Sequence, residues 1–315
     1  MASQNVNDVQ GEFVTGWRGP TERPVLDFGK YLAALLPEYP VTADHMSSVA
    51  TWNGATNKLY GTCGPCSYAN LIIMSYWYLT GELVTVTDEQ IFAFYEASGN
   101  PNFNPQTHQG DNGVDNSVML AAAQHTGLEI THADGSTEFI KAVAYGTLSG
   151  QNLIEQMRAA TALFGGVLIG VMLEIAQQAQ TRATPAIWNY SASPEWGGHD
   201  IFGGSYSSQS GNDEQVISWL KKVGMSETFE GNQVQEVFVA LIPIMLDHAP
   251  IIQGIDWNTL AADFQDLTGR PFPIPIPAPA PPPAPDPPSP DPPATDPDVA
   301  LSAAFQAWQK AKGIT

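Results

Sequence analysis

The sequence predicts an α+β fold, and three features of the 315-residue chain lead to that prediction. The first half carries helix patterns, and from about Gly165 short apolar strand patterns alternate with turn residues, an order typical of α+β domains. Fifteen of the 26 prolines lie in 271–297, and such a run is extended polyproline II that joins no core. We expect a helical half, an antiparallel β half, a Pro-rich linker and a C-terminal helix.

The predicted division of the chain has four parts. They are an N-terminal arm that wraps the core (1–40), the α+β domain (41–269), the Pro-rich linker (270–298) and a C-terminal amphipathic docking helix (299–315). In this last part Leu301, Phe305 and Trp308 line one helical face. A helix of about four turns is unstable alone in water, so we expect residues 299–312 to dock on a protein partner. The alternatives are that this segment packs back on the domain or stays disordered.

Composition excludes some classes of function. The net charge is −20, with 12 basic against 32 acidic residues, whereas nucleic-acid binding needs clustered Lys and Arg. No apolar run reaches the roughly 20 residues that span a bilayer, so we expect no membrane span. The first residues lack the basic and apolar regions of a signal peptide, which favours a cytoplasmic location and leaves export by a route without a signal peptide open.

The central stretch of the chain is Asn57 to Gly81, which contains both cysteines, Cys63 and Cys66. Pro65 suits the first turn of a helix, and the residues after it are apolar on nearly every face, which is typical of a buried helix. Gly81 is placed to end that helix. A thiol at a helix N-terminus lies in positive potential, which favours the thiolate. We therefore expect a nucleophilic cysteine here.

The remaining elements follow from periodicity and turn residues. Thr87 to Gln90 is a capping-box pattern that opens a helix, and Asp27 and Asp256 or Asn258 are possible caps of two others. A further helix starts near Asp115 or Asn116. The predicted helices are 28–36, 87–97, 115–127, 152–163, a short one from 225 to 229, and 257–267. The predicted strands are 84–86, 128–131, 138–143, 167–173, 199–206, 216–223 and 236–245.

Three interpretations of the two cysteines stay open on the residues alone. They are two small buried residues beside a helix, a thioredoxin-type dithiol, or the nucleophile of a Cys–His hydrolase. The dithiol needs a buried strand before Cys63, and residues 51–62 do not have that pattern. The hydrolase needs a distant histidine, and His199, which follows two glycines at a predicted strand start, is the candidate.

Five motifs in order resemble the papain-like cysteine peptidase superfamily over about residues 40–268. They are most similar to uncharacterised papain-like proteins of actinobacteria and their bacteriophages. The motifs are Asn57 to Asn70, Asp111-Asn112-Gly113, Phe164 to Val167, Gly198-His199 and Ser218-Trp219. In papain-type enzymes the histidine lies about 130–150 residues after the cysteine, and His199 is in that range from Cys63.

The resemblance implies roles for individual residues. Cys63 follows Gly61-Thr62 and precedes Gly64-Pro65, as the nucleophile does in the closer relatives, although the papain enzymes proper use the second cysteine, here Cys66. His199 is the implied general base and acid. Asn57 stands where the family has an oxyanion-stabilising Gln, and it also fits an ordinary loop asparagine.

The third catalytic residue departs from the family pattern. The family has Asn just before Ser-Trp, and here that position is Ile217, which cannot orient a histidine. Ser218 is adjacent and can accept weakly, Asn212 and Asp213 lie in a nearby turn, and Trp219 shields the histidine or belongs to the core. The alternative for His199 is a structural histidine at a strand edge whose hydrogen-bonding groups are satisfied.

Two functions of different classes therefore remain. One is a papain-like cysteine hydrolase that cleaves a peptide or isopeptide bond through a thioester acyl-enzyme, with an unknown peptide substrate. The other is a catalytically weak or inactive papain-like domain that is a structural or binding component of a bacteriophage virion, with phage structural proteins as partners. The histidines show no metal-ligand spacing and the C-x-x-C has no second pair, so we expect no metal and no cofactor.

Overall fold

The computed structural model describes residues 11–20, 23–32, 39–150, 152–207 and 214–276. The chain divides into two units, Met1–Pro279 and Ala280–Thr315. The second unit lies outside the described residues, and so do the predicted docking helix, most of the Pro-rich linker, and Asn212 and Asp213. The domain boundaries therefore stay predictions.

The described residues form an α+β domain, as the sequence predicted. Its helices are α1 (Gly29–Leu32), α2 (Cys63–Thr80), α3 (Asp88–Ala97), α4 (Asn116–His125), α5 (Leu153–Phe164), α6 (Ile175–Arg182), α7 (Glu227–Gln233), α8 (Ala249–Gly254) and α9 (Trp257–Thr268). Its strands are β1 (Leu26–Asp27), β2 (Thr42–Asp44), β3 (Leu128–Thr131), β4 (Thr137–Ile140), β5 (Ala144–Leu148), β6 (Val167–Glu174), β7 (Ile187–Trp188), β8 (Glu195–Ser207), β9 (Glu214–Ser218), β10 (Lys221–Met225) and β11 (Val234–Leu241).

One mixed sheet dominates the domain. Its strand order is β1-β5-β11-β6-β8-β9-β10-β7, with β2 also paired to β8, and β3 and β4 form a separate pair. The central pairs β11–β6, β6–β8 and β8–β9 are antiparallel, while the two ends, β1–β5 and β10–β7, are parallel. The long strand β8 therefore lies between β6 and β9, and it carries His199.

The helix α2 is the buried helix that the sequence predicted. It begins at Cys63 and ends at Gly81, which adopts left-handed φ of 74°, a conformation that glycine takes at little cost. Its side chains from Cys63 to Tyr76 are all buried, and it packs against β8. The capping box of Thr87 and Gln90 on α3 is also present.

Four predicted strands differ from the structure. The segment 138–143 is a strand only to Ile140, and the next strand, β5, begins at Ala144. The segment 216–223 is two strands, β9 and β10, because Trp219 and Leu220 both adopt positive φ, 48° and 66°, which is the geometry of a two-residue hairpin turn. The strand 236–245 ends at Leu241, since a 3₁₀-helix begins at Pro243. Residues 84–86 form only an isolated bridge, between Thr85 and Thr131.

The end of the domain includes the first residues of the proline-rich run. Phe272 packs edge-on against Phe264 of α9, with ring centroids 5.4 Å apart, and Phe272 and Ile274 contact the main core. Among the described helices, none combines the length and apolar character needed to cross a bilayer.

Candidate functional site

The Cys63 thiol lies at the N-terminus of α2, directly beside strand β8. Its sulfur is fully buried and lies at the main-chain N–H of Asp200, the residue after His199. Burial raises the pKa of the Cys63 thiol well above its usual value, and the Asp200 carboxyl adds to that rise. The expected thiolate is therefore not favoured in this structure, because desolvation outweighs the helix N-terminus.

His199 is held in place by two neighbours from the β9–β10 hairpin. Its Nε2 lies 2.8 Å from Ser218 Oγ, and its ring stacks on Trp219 at 4.0 Å with an interplanar angle of 11°. The other ring nitrogen, Nδ1, is buried and has no hydrogen-bond partner among the described residues. Burial lowers the pKa of His199 to about 3, so the imidazole is neutral here.

The strained hairpin turn explains how Trp219 reaches the histidine. A positive φ costs a non-glycine residue about 1–2 kcal/mol, and both turn residues adopt it. This turn conformation lets the Trp219 ring stack on His199 and on Trp196, with 5.4 Å between the two indole centroids. The indole Nε1 of Trp219 donates to the Val14 carbonyl. Trp219 thus covers the imidazole face and is also part of the buried core, so both sequence interpretations of this residue apply.

The loop that precedes Cys63 is fixed by a polar network. The Gly61 N–H donates to Asp111 Oδ1 at 3.0 Å, and the Tyr95 hydroxyl donates to the same oxygen at 2.7 Å. The Tyr95 hydroxyl also accepts from the Gly113 N–H at 2.7 Å. The motif Asp111-Asn112-Gly113 therefore ties α3 to the loop that positions the thiol.

Asp200 lies on the opposite face of β8 from His199, because successive side chains of a strand alternate. Its carboxyl is fully buried and lies near Gly64 of α2, where an added Cβ would be 3.3 Å from Oδ2. Burial and the charge of Glu236 raise the pKa of Asp200 well above its usual value, while the Asn116 amide acts in the opposite direction. A charged residue inside an apolar strand was the available sequence signal, and the sequence reasoning missed it.

Asn57 and Cys66 lie together one turn away from Cys63. The Asn57 main-chain N–H faces the Cys66 sulfur, which also contacts Thr56 Oγ1 at 3.4 Å and Thr62 Oγ1 at 3.8 Å. Burial raises the pKa of Cys66 to about 11. Both thiols are free. The described contacts of Asn57 are therefore to Cys66, and its role as an oxyanion donor to Cys63 stays a prediction.

The N-terminal arm covers the site, which the sequence did not predict. The N–H groups of Gly16 and Trp17 both donate to the Gly198 carbonyl at 2.9 Å. On the other side, the Val114 N–H donates to the Gly16 carbonyl at 2.7 Å and the Arg18 N–H donates to the Val114 carbonyl at 2.8 Å. The arm is therefore an extended segment bound between the residue before His199 and the residue after Gly113.

The arm also packs tightly on the loop before the nucleophile. A Cβ on Gly16 would lie 2.4 Å from Gly61 Cα, and no side chain fits there without movement. Trp17 is fully buried in a cluster separate from the main core that also contains Cys63, Tyr95, Phe103 and Val114. In this conformation water does not reach the thiol.

In the described part of the chain, no group of three or more His, Cys, Asp or Glu side chains is arranged to bind a metal. The structure brings Ser218 against His199 and places the Cys63 sulfur at the N–H of Asp200, the next residue of β8. No described contact joins Cys63 to His199, and their pairing stays a prediction.

Solved structures with similar folds are papain-like cysteine proteases. Xylellain, a cysteine protease from Xylella fastidiosa, aligns with a TM-score of 0.55 and 9% identity over 76% of this chain and 97% of that chain. ProCathepsin B S9 from Trypanosoma congolense aligns with a TM-score of 0.50 and 11% identity over 75% and 88% of the two chains. No protein-family model and no curated protein matches the sequence. The chain therefore has the papain-like fold.

Proposed function

We propose that this protein is a papain-like cysteine hydrolase that cleaves a peptide or isopeptide bond through a thioester acyl-enzyme on Cys63. The observation that carries the proposal is that the thiol and the histidine lie next to consecutive residues of one strand, β8. The Cys63 sulfur lies at the N–H of the residue after His199, and His199 is held by Ser218 and Trp219 with Nδ1 free.

The residues have complementary roles in this chemistry. In this proposal Ser218 Oγ accepts a hydrogen bond from the Nε2–H group of His199, which selects the tautomer whose unprotonated Nδ1 can take the Cys63 proton. The thiolate attacks the carbonyl carbon, and the protonated His199 then returns its proton to the leaving amine. Water, deprotonated by His199, releases the acyl group from sulfur. The Cys63 N–H and the Asn57 side chain are the proposed oxyanion donors.

The covered site implies that catalysis requires movement of the arm. With the arm in place, the thiol and the imidazole are both buried and both neutral. Displacement of residues 13–18 admits water and substrate, and hydration removes the largest cause of both pKa shifts. The proposed enzyme is therefore latent in this conformation.

The second candidate is a catalytically weak or inactive papain-like domain that serves as a structural component of a bacteriophage virion. The replacement of the family Asn by Ile217 favours it, because a serine is a weaker orienting group than an amide. In this proposal the arm is a permanent part of the fold, and Cys63 stays unreactive.

A thiol-labelling experiment separates the two candidates. Native protein is treated with iodoacetamide, and the modified cysteine is located by peptide mass mapping. A hydrolase gives fast, pH-dependent modification of Cys63 once the arm is loosened, whereas a structural module gives slow modification of both cysteines. Hydrolysis of a casein or peptide-library substrate by the same sample then tests the reaction itself.

We further propose that residues 299–312 dock the domain on a protein partner, for example a phage structural protein. A linker that tethers two modules raises their effective concentration without new contacts on the domain. The test is truncation after Pro279, which retains Phe272 and Ile274 on the core. The shortened chain should keep its melting temperature and lose co-assembly with the partner; a large drop in melting temperature would contradict a detached helix.

A further inference from the structure

We propose that a cavity at the end of α2 opposite Cys63 binds a small aromatic molecule with one hydroxyl group, a phenol. At 1.5 Å per residue, the part of α2 that lines this cavity lies about 16–22 Å along the helix from Cys63, so the inference does not rest on the proposed hydrolase function. We name it the His45 cavity, after the buried histidine in its wall. It is defined by residues of α2, α5 and α8 and of the adjoining loops: His45, Met74, Tyr78, Phe164, His248 and Ile251.

The first argument is a buried imidazole that has no protein partner. His45 is only 8% exposed, and neither its Nδ1 nor its Nε2 has a hydrogen-bond partner among the described residues. Its main-chain N–H donates to the Gly204 carbonyl of β8 at 3.1 Å, so the sheet fixes the position of this residue. Because buried polar groups are almost always hydrogen-bonded, the ring is placed for a partner that enters the cavity.

The second argument is the size of the cavity and the character of its wall. Its volume is about 110 Å³, and an engineered apolar cavity of about 150 Å³ binds benzene. Most of the wall is apolar, with Met74, Phe164 and Ile251 as its larger side chains. The space therefore suits a single six-membered ring and excludes fused rings and long chains.

The third argument is that aromatic rings surround the entrance. The rings of His45 and Tyr78 meet edge to face, with centroids 4.5 Å apart and an interplanar angle of 89°. Tyr78 and His248 are in a similar arrangement, at 6.4 Å and 82°. Tyr78 is 50% exposed and His248 is half-buried, so both lie where a ligand would enter. Edge-to-face pairs contribute energy beyond the area they bury, and this favours an aromatic ligand.

The fourth argument is that one wall can adapt to a ligand. Gly165 ends α5 with a left-handed φ of 82°, and a Cβ there would lie 2.5 Å from Met74 Cε and 4.0 Å from His45 Cγ. The glycine thus leaves room for the Met74 side chain next to the imidazole. Methionine has three rotatable bonds and fills irregular space, so Met74 can make way for a ring without a change in the backbone.

The charges around His45 favour a neutral hydroxyl over an anionic ligand. Burial alone would raise the pKa of Asp44, but hydrogen bonds from Ser47 and Met46 hold that pKa below its usual value, so a carboxylate precedes His45. This charge repels an anion. Burial lowers the pKa of His45, against the opposing effect of Asp44. The imidazole is therefore neutral near pH 7, and its unprotonated nitrogen can accept from a phenol O–H.

A metal ion is a poorer occupant than a phenol. The cavity offers two histidines, His45 and His248, and within the described ranges no group of three His, Cys, Asp or Glu side chains is arranged to hold a metal. A site with only two imidazoles and an apolar wall leaves most coordination positions of a transition metal to water.

The experiment compares single-ring probes on the full-length protein labelled with ¹³C,¹⁵N-histidine. The probes are phenol, fluorobenzene, which has nearly the same shape but no O–H donor, and benzoate, which is an anion. Zinc chloride is titrated separately. The imidazole NMR signals of the six histidines are followed, and dissociation constants are taken from the signals of His45 and His248.

Three variants locate the site. His45→Phe keeps a ring but removes both nitrogens, it identifies the His45 signal, and His248 still reports binding. Ala162→Phe places a ring in the lining of the cavity and fills it. Ala93→Phe adds the same ring at an exposed position of α3 and is the matched control.

We expect phenol to shift the His45 signal and to bind roughly five- to tenfold more tightly than fluorobenzene, because only phenol can donate to the imidazole. His45→Phe should reduce this ratio to about one or less, since the acceptor is gone. Ala162→Phe should abolish the binding of both probes, and Ala93→Phe should leave both affinities unchanged.

Several results would overturn the inference. Equal affinities of phenol and fluorobenzene in the wild type would show a purely apolar cavity, and this comparison holds even if no variant folds. Tighter binding of benzoate or of Zn²⁺ than of phenol would assign an anion or a metal site. No shift of the His45 and His248 signals with phenol would show that no aromatic molecule enters, and a phenol preference that persists in His45→Phe would show that His45 is not the acceptor.

Discussion

Cys63 and Cys66 lie one turn apart on α2, both are fully or nearly fully buried, and they are covered in different ways. Cys66 belongs to the main core, with Thr56 and Thr62 against its sulfur. Cys63 belongs to the separate cluster that the arm completes through Trp17. Burial raises the pKa of both thiols, but the arm covers only one of them.

Burial alone therefore does not distinguish a structural cysteine from a reactive one. Exposure of Cys66 requires the core to open, which costs a large part of the stability of the domain. Exposure of Cys63 requires only that a strand-like segment leave its groove. We expect this contrast to appear in hydrolysis, in the alkylation of the two cysteines and in the pH dependence of stability.

The largest effect should come from removal of the nucleophile in a chain with a loosened arm. In the Gly16→Ala background, Cys63→Ala should reduce substrate hydrolysis by a factor on the order of 10³ or more, because no other group forms the acyl-enzyme. Cys66→Ala in the same background is the matched control and should retain most activity. Equal losses in the two variants would show that the contrast between the thiols is wrong.

Loosening of the arm should change the reactivity of one cysteine only. A Cβ on Gly16 meets the Gly61 backbone, and overpacking of this kind costs about 1–3 kcal/mol, so Cys63 alkylation by iodoacetamide should rise by roughly 10- to 100-fold. Gly231→Ala is the control, since that position is open. A similar rise at Cys66, measured by quantitative peptide mapping, would mean that the whole domain has opened.

Removal of the orienting hydroxyl should have a smaller effect. Ser218→Ala should lower hydrolysis in the Gly16→Ala background by roughly 5- to 30-fold, because His199 loses a hydrogen bond whose net contribution is about 1–2 kcal/mol. Ser218→Thr keeps the hydroxyl and should recover part of the rate. A purely structural role of Ser218 would appear as a lower melting temperature with kcat unchanged.

The smallest effect is the pH dependence of stability. His199 has a folded pKa of about 3, below its unfolded value of about 6.5, so the unfolded chain binds the extra proton between these values. His199 therefore lowers the unfolding free energy as pH falls through that window, by at most about 1.4 kcal/mol per pH unit. Urea unfolding of the wild type and His199→Gln should diverge below about pH 6.5.

Asp200 contributes with the opposite sign and serves as an internal control. Its folded pKa is raised, so the folded chain binds more protons above pH 3.8, and stability from this group is lost as pH rises. Asp200→Asn should therefore abolish the decrease in unfolding free energy that the wild type shows as pH rises. His199→Gln should keep that decrease. Superimposable pH curves for all three proteins would contradict the burial of both groups.

The sequence predicted the elements whose signals are local. Pro65 and Gly81 bound a helix by their own backbone preferences, Thr87 and Gln90 cap one by their own side chains, and the apolar faces of α2 require a buried position. The position of His199 beside Ser218 followed from the resemblance, and both lie on β-strands as it implied.

Other features depend on contacts between distant segments. The hairpin at Trp219 and Leu220 contradicts their local preference, since neither residue favours positive φ, and it exists because Trp219 packs between His199 and Trp196. The position of Trp17 depends on space left by Gly170 and Gly198, which no window of sequence around Trp17 contains. For the same reason the residues around Cys63 could not predict that its thiol pKa is raised. The segment that buries and desolvates this thiol is the arm, which is distant in sequence.

The most direct test of the Cys63–His199 pair is the pH profile of Cys63 alkylation in the full-length Gly16→Ala chain, with and without His199→Gln. If His199 takes the thiol proton, Cys63 should react with iodoacetamide well below the usual thiol pKa of about 8.5, and His199→Gln should move the profile upward by more than one pH unit. A profile that is identical in the two chains would show that His199 does not activate Cys63 and would contradict the proposed hydrolase.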